Sequence, residues 1–147
     1  MTSKRDLYLG IDGVILTKGV LPALHLNRFL EYVLNLYTVS WLSSRCRGNS
    51  QETMRYLSQF LFGDTISLIN RIQPTTYRLD KTEAIDFSRD FFWIEPELFD
   101  SEKNMLKKHN KLTSWIKLDL IESPNQLMNL TNSRLLCAPT QFANTSS

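Results

Sequence analysis

Two hydrophobic spacings alternate along the chain. Leu7-Tyr8-Leu9-Gly10-Ile11 is an apolar run that halts at Asp12-Gly13, the pattern of a buried strand entering a tight turn. Leu24, Leu26, Phe29, Leu30, Val33, Leu34 and Tyr37 then recur at helical spacing, with Pro22 suited to open the helix. Thr38 to Leu42 is rich in β-formers and predicts a second strand, followed by a loop over 43–49. Asn49 with Glu52 resembles a capping box for a helix that presents Met54, Leu57, Phe60 and Leu61 and is expected to end at Gly63-Asp64. Residues 65–72 read as a strand or a packed loop segment, 74–80 as irregular, and Lys81 as the start of a short helical piece reaching about Phe87. Phe91-Phe92-Trp93-Ile94 predicts a strongly apolar strand, stopped by Glu95-Pro96. Asp100 to Lys111 reads as one polar, exposed helix and Trp115 to Leu120 as a further strand. Pro124 precedes an amphipathic helix using Leu127, Met128, Leu130 and, at its end, Leu135.

Strands alternating with helices in this way argue for an α/β domain with a mostly parallel sheet and right-handed crossovers. In such sheets ligands sit outside the carboxyl ends of the strands, where the strand order reverses. The polar residues that directly follow the apolar runs are Asp12, Ser43 and Glu95, and they are the first candidates for a site.

Composition narrows the picture only slightly. A chain of 147 residues with 42% hydrophobic residues supports one domain with a real core, expected over 1–137, and a small polar tail over 138–147 expected to fray. A net charge of +2 does not by itself point to nucleic acid. The run Lys103 to Lys111 is basic, but no aromatic residue interleaves with its lysines as base stacking requires, so a solvated helix face is expected. Cys46 and Cys137 show neither metal nor redox spacing, and His25 and His109 lie at no ligand spacing to each other or to the cysteines. No apolar window approaches membrane-span length, and Met1 to Asp6 leads straight into the first strand without a signal peptide, so a cytoplasmic protein with no membrane partner is expected.

The ten residues Leu7 to Leu16 resemble the first motif of the haloacid dehalogenase-like phosphohydrolases, a hydrophobic strand ending Asp-x-Asp-Gly. Asp12 and Gly13 match the second half of that motif, whose aspartate is the general acid/base. Gly10 stands where the family has its nucleophilic aspartate. Val39 to Ser43 resembles the second motif, with Ser43 (Ser44 if the register slips by one) as the phosphate-binding hydroxyl. Lys81 resembles the third motif's lysine, which neutralises phosphate charge. Phe92-Trp93-Ile94-Glu95-Pro96 stands where the fourth motif's paired magnesium acids are expected, with Asp100 as a possible replacement for the acid lost to Pro96. The resemblance covers about Leu7 to Leu136 and implies a three-layer, Rossmann-like sandwich without a cap domain.

What it implies for chemistry is a loss. Glycine has no side chain on which an aspartyl-phosphate could form, and removing the nucleophile from a cooperating site costs on the order of a million-fold, about 8 kcal/mol. The implied Mg2+ site keeps only the Asp12 carbonyl, Glu95 and water, with Asp100 as the substitute acid, a weak set for an ion that tolerates little departure from octahedral geometry. The expected function is therefore that of a pseudophosphatase, a module binding a phosphorylated small molecule or nucleotide, or a protein partner. A phosphohydrolase with a repurposed carboxylate (Asp12 or Glu95) and a pure protein-interaction scaffold are the alternatives. Without a nucleophile, Asp12 reads more readily as a turn and cap residue than as an acid/base. Arg45 and Arg47 could recognise phosphate, although loop arginines are more often simply exposed. Glu95 is expected to pair with Lys81.

Overall fold

The structure is a computed structural model that describes residues 4–46 and 48–133. Arg47, Leu135, Cys137, the expected domain end and the tail at 138–147 lie outside the described residues. The central strand is β1 (Arg5–Leu9). Alternation sends Leu7 and Leu9 to one face and Tyr8 to the other, and all three are buried, so both faces need cover. β1 pairs in parallel with β4 (Tyr37–Trp41) on one side and β5 (Phe91–Glu95) on the other. β6 (Trp115–Lys117) pairs with β5, giving the order β4-β1-β5-β6. The described residues thus form a mixed α/β structure on a four-stranded parallel sheet with five α-helices.

Each face carries its own core. The helices α1 (Leu26–Leu36), α2 (Ser50–Leu57), α3 (Gly63–Ile69) and α5 (Gln126–Ser133) contribute to the core that holds Leu7, Leu9, Val39, Trp41 and Ile94. On the other face, Tyr8 and Trp93 pack with Leu98 and with Leu106 of α4 (Asp100–Lys108), beside a 3-10 turn at Lys81–Ala84 that stops short of Phe87. The chain passes from β1 to β4 on one side and returns to β5 on the other, so the order reverses between β1 and β5. That is where a ligand crevice belongs in an open parallel sheet.

Several expected boundaries are corrected. Pro22 does not open α1; it lies in β3 (Leu21–Pro22), which forms an antiparallel hairpin with β2 (Leu16–Thr17). The helix begins only after His25, whose φ of 63° is left-handed, and Tyr37 already belongs to β4. Residues 65–72 are not a strand. Gly63 opens α3 instead of ending α2, and Phe60 lies in the turn after α2 with Leu61 just beyond it. The β-branched Thr65, Ile66 and Ile69 favour a strand locally, but Ile66 and Ile69, three apart, meet the core from one helix face, and packing overrides propensity. β6 is shorter than expected, with Leu118 and Leu120 buried beyond it. α4 is not wholly exposed, because Glu102 and Leu106, four apart, are buried. No described helix is long and apolar enough to cross a membrane.

Candidate functional site

The register of the sheet brings two strand ends together. Leu9 pairs with Ile94, and the Gly10 N–H donates to the Ile94 carbonyl at 3.1 Å, so Gly10 and Glu95 come next to each other. Glu95 shares its face with Trp93, two residues earlier, and so points over Gly10. A Cβ placed on Gly10 would stand 2.6 Å from Glu95 Cδ and 2.7 Å from Oε2. The carboxyl group of Glu95 thus fills the space that a side chain on residue 10 would need.

Lys81 completes this inner cluster, donating from Nζ to Glu95 Oε2 at 3.4 Å. Its 3-10 turn opens with a capping box. Asp80 accepts from the Thr82 N–H, and Glu83 accepts from the N–H groups of Arg78, Leu79 and Asp80 at 3.0 Å each. The Ser101 hydroxyl donates to Asp80 Oδ2 at 3.0 Å and ties the first turn of α4 to the Lys81 turn. Burial would raise Asp80, but the hydrogen bonds from Thr82 and Ser101, with Lys81 nearby, hold it below the usual carboxylate range.

Glu95 is 7% exposed, and burial pushes its carboxyl up to about 7; Lys81 pulls it back, while Glu102 and Asp12 push it further up. Glu102 is also raised, first by burial, against the opposing hydrogen bond it accepts from the Phe99 N–H at 2.8 Å. Neither Glu102 nor Asp80 was among the residues singled out in the sequence. Glu102 is the third residue of α4, but the cap position is Phe99, which lacks the oxygen that marks a capping box.

An outer pair sits at the rim. Asp12, with a side chain 52% exposed, accepts from Arg45 Nε at 2.8 Å, and the guanidinium lies over the Tyr56 ring, 4.2 Å from its centroid. Ser43 is buried, and its hydroxyl oxygen accepts from the Arg45 N–H at 3.1 Å, closing the turn after β4. Ser44 is exposed in that turn, and Asp100 is exposed in the first turn of α4. Geometry therefore gathers Gly10, Lys81 and Glu95 closely and links Asp12 with the Ser43 turn through Arg45.

Among the described residues no three His, Cys, Asp or Glu side chains converge, and Asp12 and Glu95 each already hold a basic side chain. His25 is hydrogen-bonded to Asn125 at 3.0 Å and His109 stacks on Phe87. In the basic run, Lys103 lies over the Trp115 ring and Lys111 pairs with Asp90. A cleft of about 260 Å³ adjoins the site on the β6 side, against Gly13, Lys18, Pro96, Lys117 and Leu120; Asp12, Ser43, Lys81 and Glu95 do not line it.

Chemically, the strand ends carry two acid–base pairs that neutralise each other and no carboxylate on residue 10. A buried carboxyl titrating near neutrality beside a lysine is suited to exchange a proton. No family model, curated protein or solved structure matches the chain.

Proposed function

We propose that this chain is a capless, haloacid dehalogenase-like domain with its phosphatase chemistry impaired, and that its strand-end cluster serves as a regulatory module for a phosphorylated ligand such as a nucleotide. The observation that carries this reading is the Glu95 carboxyl group, which lies in the side-chain space of Gly10 and holds Lys81. A site of this kind has no nucleophile on β1, and its central cation is neutralised by its own chain. The parallel sheet, with Asp12 and Ser43 just after β1 and β4, Lys81 opening its 3-10 turn and Glu95 ending β5, supports the family reading by placement alone.

A second reading rests on Glu95 itself. A carboxyl at about 7 in that position matches a general base for water attack on a phosphate ester. Hydrolysis of an aryl phosphate, with and without Mg2+, separates the two. The native chain is expected to show no turnover, while nucleotides raise its melting temperature in proportion to the logarithm of their concentration. Turnover that disappears in Glu95→Gln or Asp12→Ala would make the protein an enzyme.

A further inference from the structure

Lys81 can donate three hydrogen bonds, yet among the described residues its Nζ makes one, at 3.4 Å. Tight charge-assisted bonds are shorter, about 2.7–2.9 Å. The bay above Gly10 that holds its partner is filled by a carboxylate instead of an apolar side chain. We infer that Glu95 is an internal stand-in for an exchangeable oxyanion: the Lys81 bay is a closed oxyanion site, and a phosphomonoester or similar group enters by displacing the Glu95 carboxylate.

Three features make the exchange physically accessible. A buried ion pair gives little net stability, because desolvation offsets most of its attraction, so replacing one oxyanion with another costs little. The backbone at Glu95 is pinned independently of its side chain, since its carbonyl accepts from Trp115 Nε1 at 2.8 Å and from the Leu118 N–H at 3.3 Å. The side chain can therefore leave Lys81 without moving the sheet. Glycine at residue 10 keeps the bay free of any covalently fixed group. A cation is a poor candidate for the same space because the Lys81 ammonium faces it.

This inference rests on the proposed reading of the cluster as facing a phosphorylated ligand, and it adds the device that closes it. The test is thermal melting of the full chain in inorganic phosphate, against chloride at matched ionic strength. The native chain is expected to respond weakly. Glu95→Ala should bind phosphate at least about tenfold more tightly, seen as a melting temperature that climbs with log concentration. Glu95→Ala combined with Lys81→Met should lose that response. A folded Glu95→Ala that ignores phosphate overturns the inference, and so does an equal response in the double variant. If Glu95→Ala does not fold, Glu95→Gln, which keeps the packing but gives up the charge that competes for Lys81, must show a smaller gain in the same direction, and its absence is equally decisive. A native chain that binds phosphate as well as Glu95→Ala removes the closure but leaves the phosphate-module reading standing. Aryl phosphate turnover by the native chain would defeat that reading separately.

Discussion

Glu95 and Gly10 share one side-chain space: the Glu95 carboxyl carbon lies 2.6 Å from where a Cβ on residue 10 would stand. Restoring an aspartate at position 10 alone therefore crowds two carboxylates into one bay. Gly10→Asp is expected to lower stability by at least about 2 kcal/mol through overpacking and buried like charge. Glu95→Gly in the same chain moves the carboxylate from β5 to β1 and should recover most of that loss, to within about 1 kcal/mol. Urea unfolding of the two variants checks this, and equal stabilities would show that the two positions do not compete. The double variant is also the proper protein in which to look for regained phosphatase turnover.

The raised Glu95 carboxyl gives a pH dependence of definite sign. Its value moves from an ordinary 4.5 to about 7, so between these pH values the folded state keeps a proton that the unfolded chain has released. The associated stability is fully present below about 4.5 and is lost as pH rises to about 7, by roughly 3 kcal/mol. Glu102, also raised, acts in the same direction. Asp80, which is lowered, acts oppositely, losing its contribution only as pH falls below the usual carboxylate range. Unfolding free energies of the native chain and Glu95→Gln should lie close together near pH 4.5, where both side chains are neutral, and separate as pH rises toward 7 and the native chain loses stability. Parallel curves would mean that Glu95 titrates normally.

The strands at 38–42 and 91–94 were legible because parallel strands buried on both faces read as continuous apolar runs. The Lys81–Glu95 pair was legible too, since one opens a turn and the other closes a strand on the same side of the sheet. α3 and the β2–β3 hairpin were not. Each is only a few residues long, and its local composition points elsewhere until core contacts decide. The engagement of Arg45 was hidden for a different reason. Asp12 and Tyr56 lie 33 and 11 residues away in opposite directions, and only the sheet and α2 bring them to it.

Glu102 has two separable roles. Glu102→Ala leaves the Phe99 N–H without its carboxylate partner and should cost about 1–2 kcal/mol, with faster amide exchange at Phe99. It also removes a negative charge that pushes Glu95 upward, so the Glu95 carboxyl should titrate closer to its ordinary value. Carbon-13 NMR titration of the Glu95 carboxyl in both proteins reads the second effect directly. An unchanged titration would show that Glu102 is too far or too well solvated to act on it.

The Arg45–Asp12 pair is short, but both side chains are substantially exposed, at 40% and 52%, so solvent screens it. A double-mutant cycle with Arg45→Ala and Asp12→Ala should give a coupling of about 0.5–1 kcal/mol at low salt, shrinking as salt rises. Arg45→Lys should not restore it. Lysine has no planar group to lie on Tyr56 and no second nitrogen set back along the chain to reach Asp12 while the head stays on the ring. A lysine variant with full coupling would reduce the pair to simple charge attraction. Loss in Arg45→Lys and in Tyr56→Ala alike would instead show that the aromatic contact orients the arginine, and through it the carboxylate of Asp12.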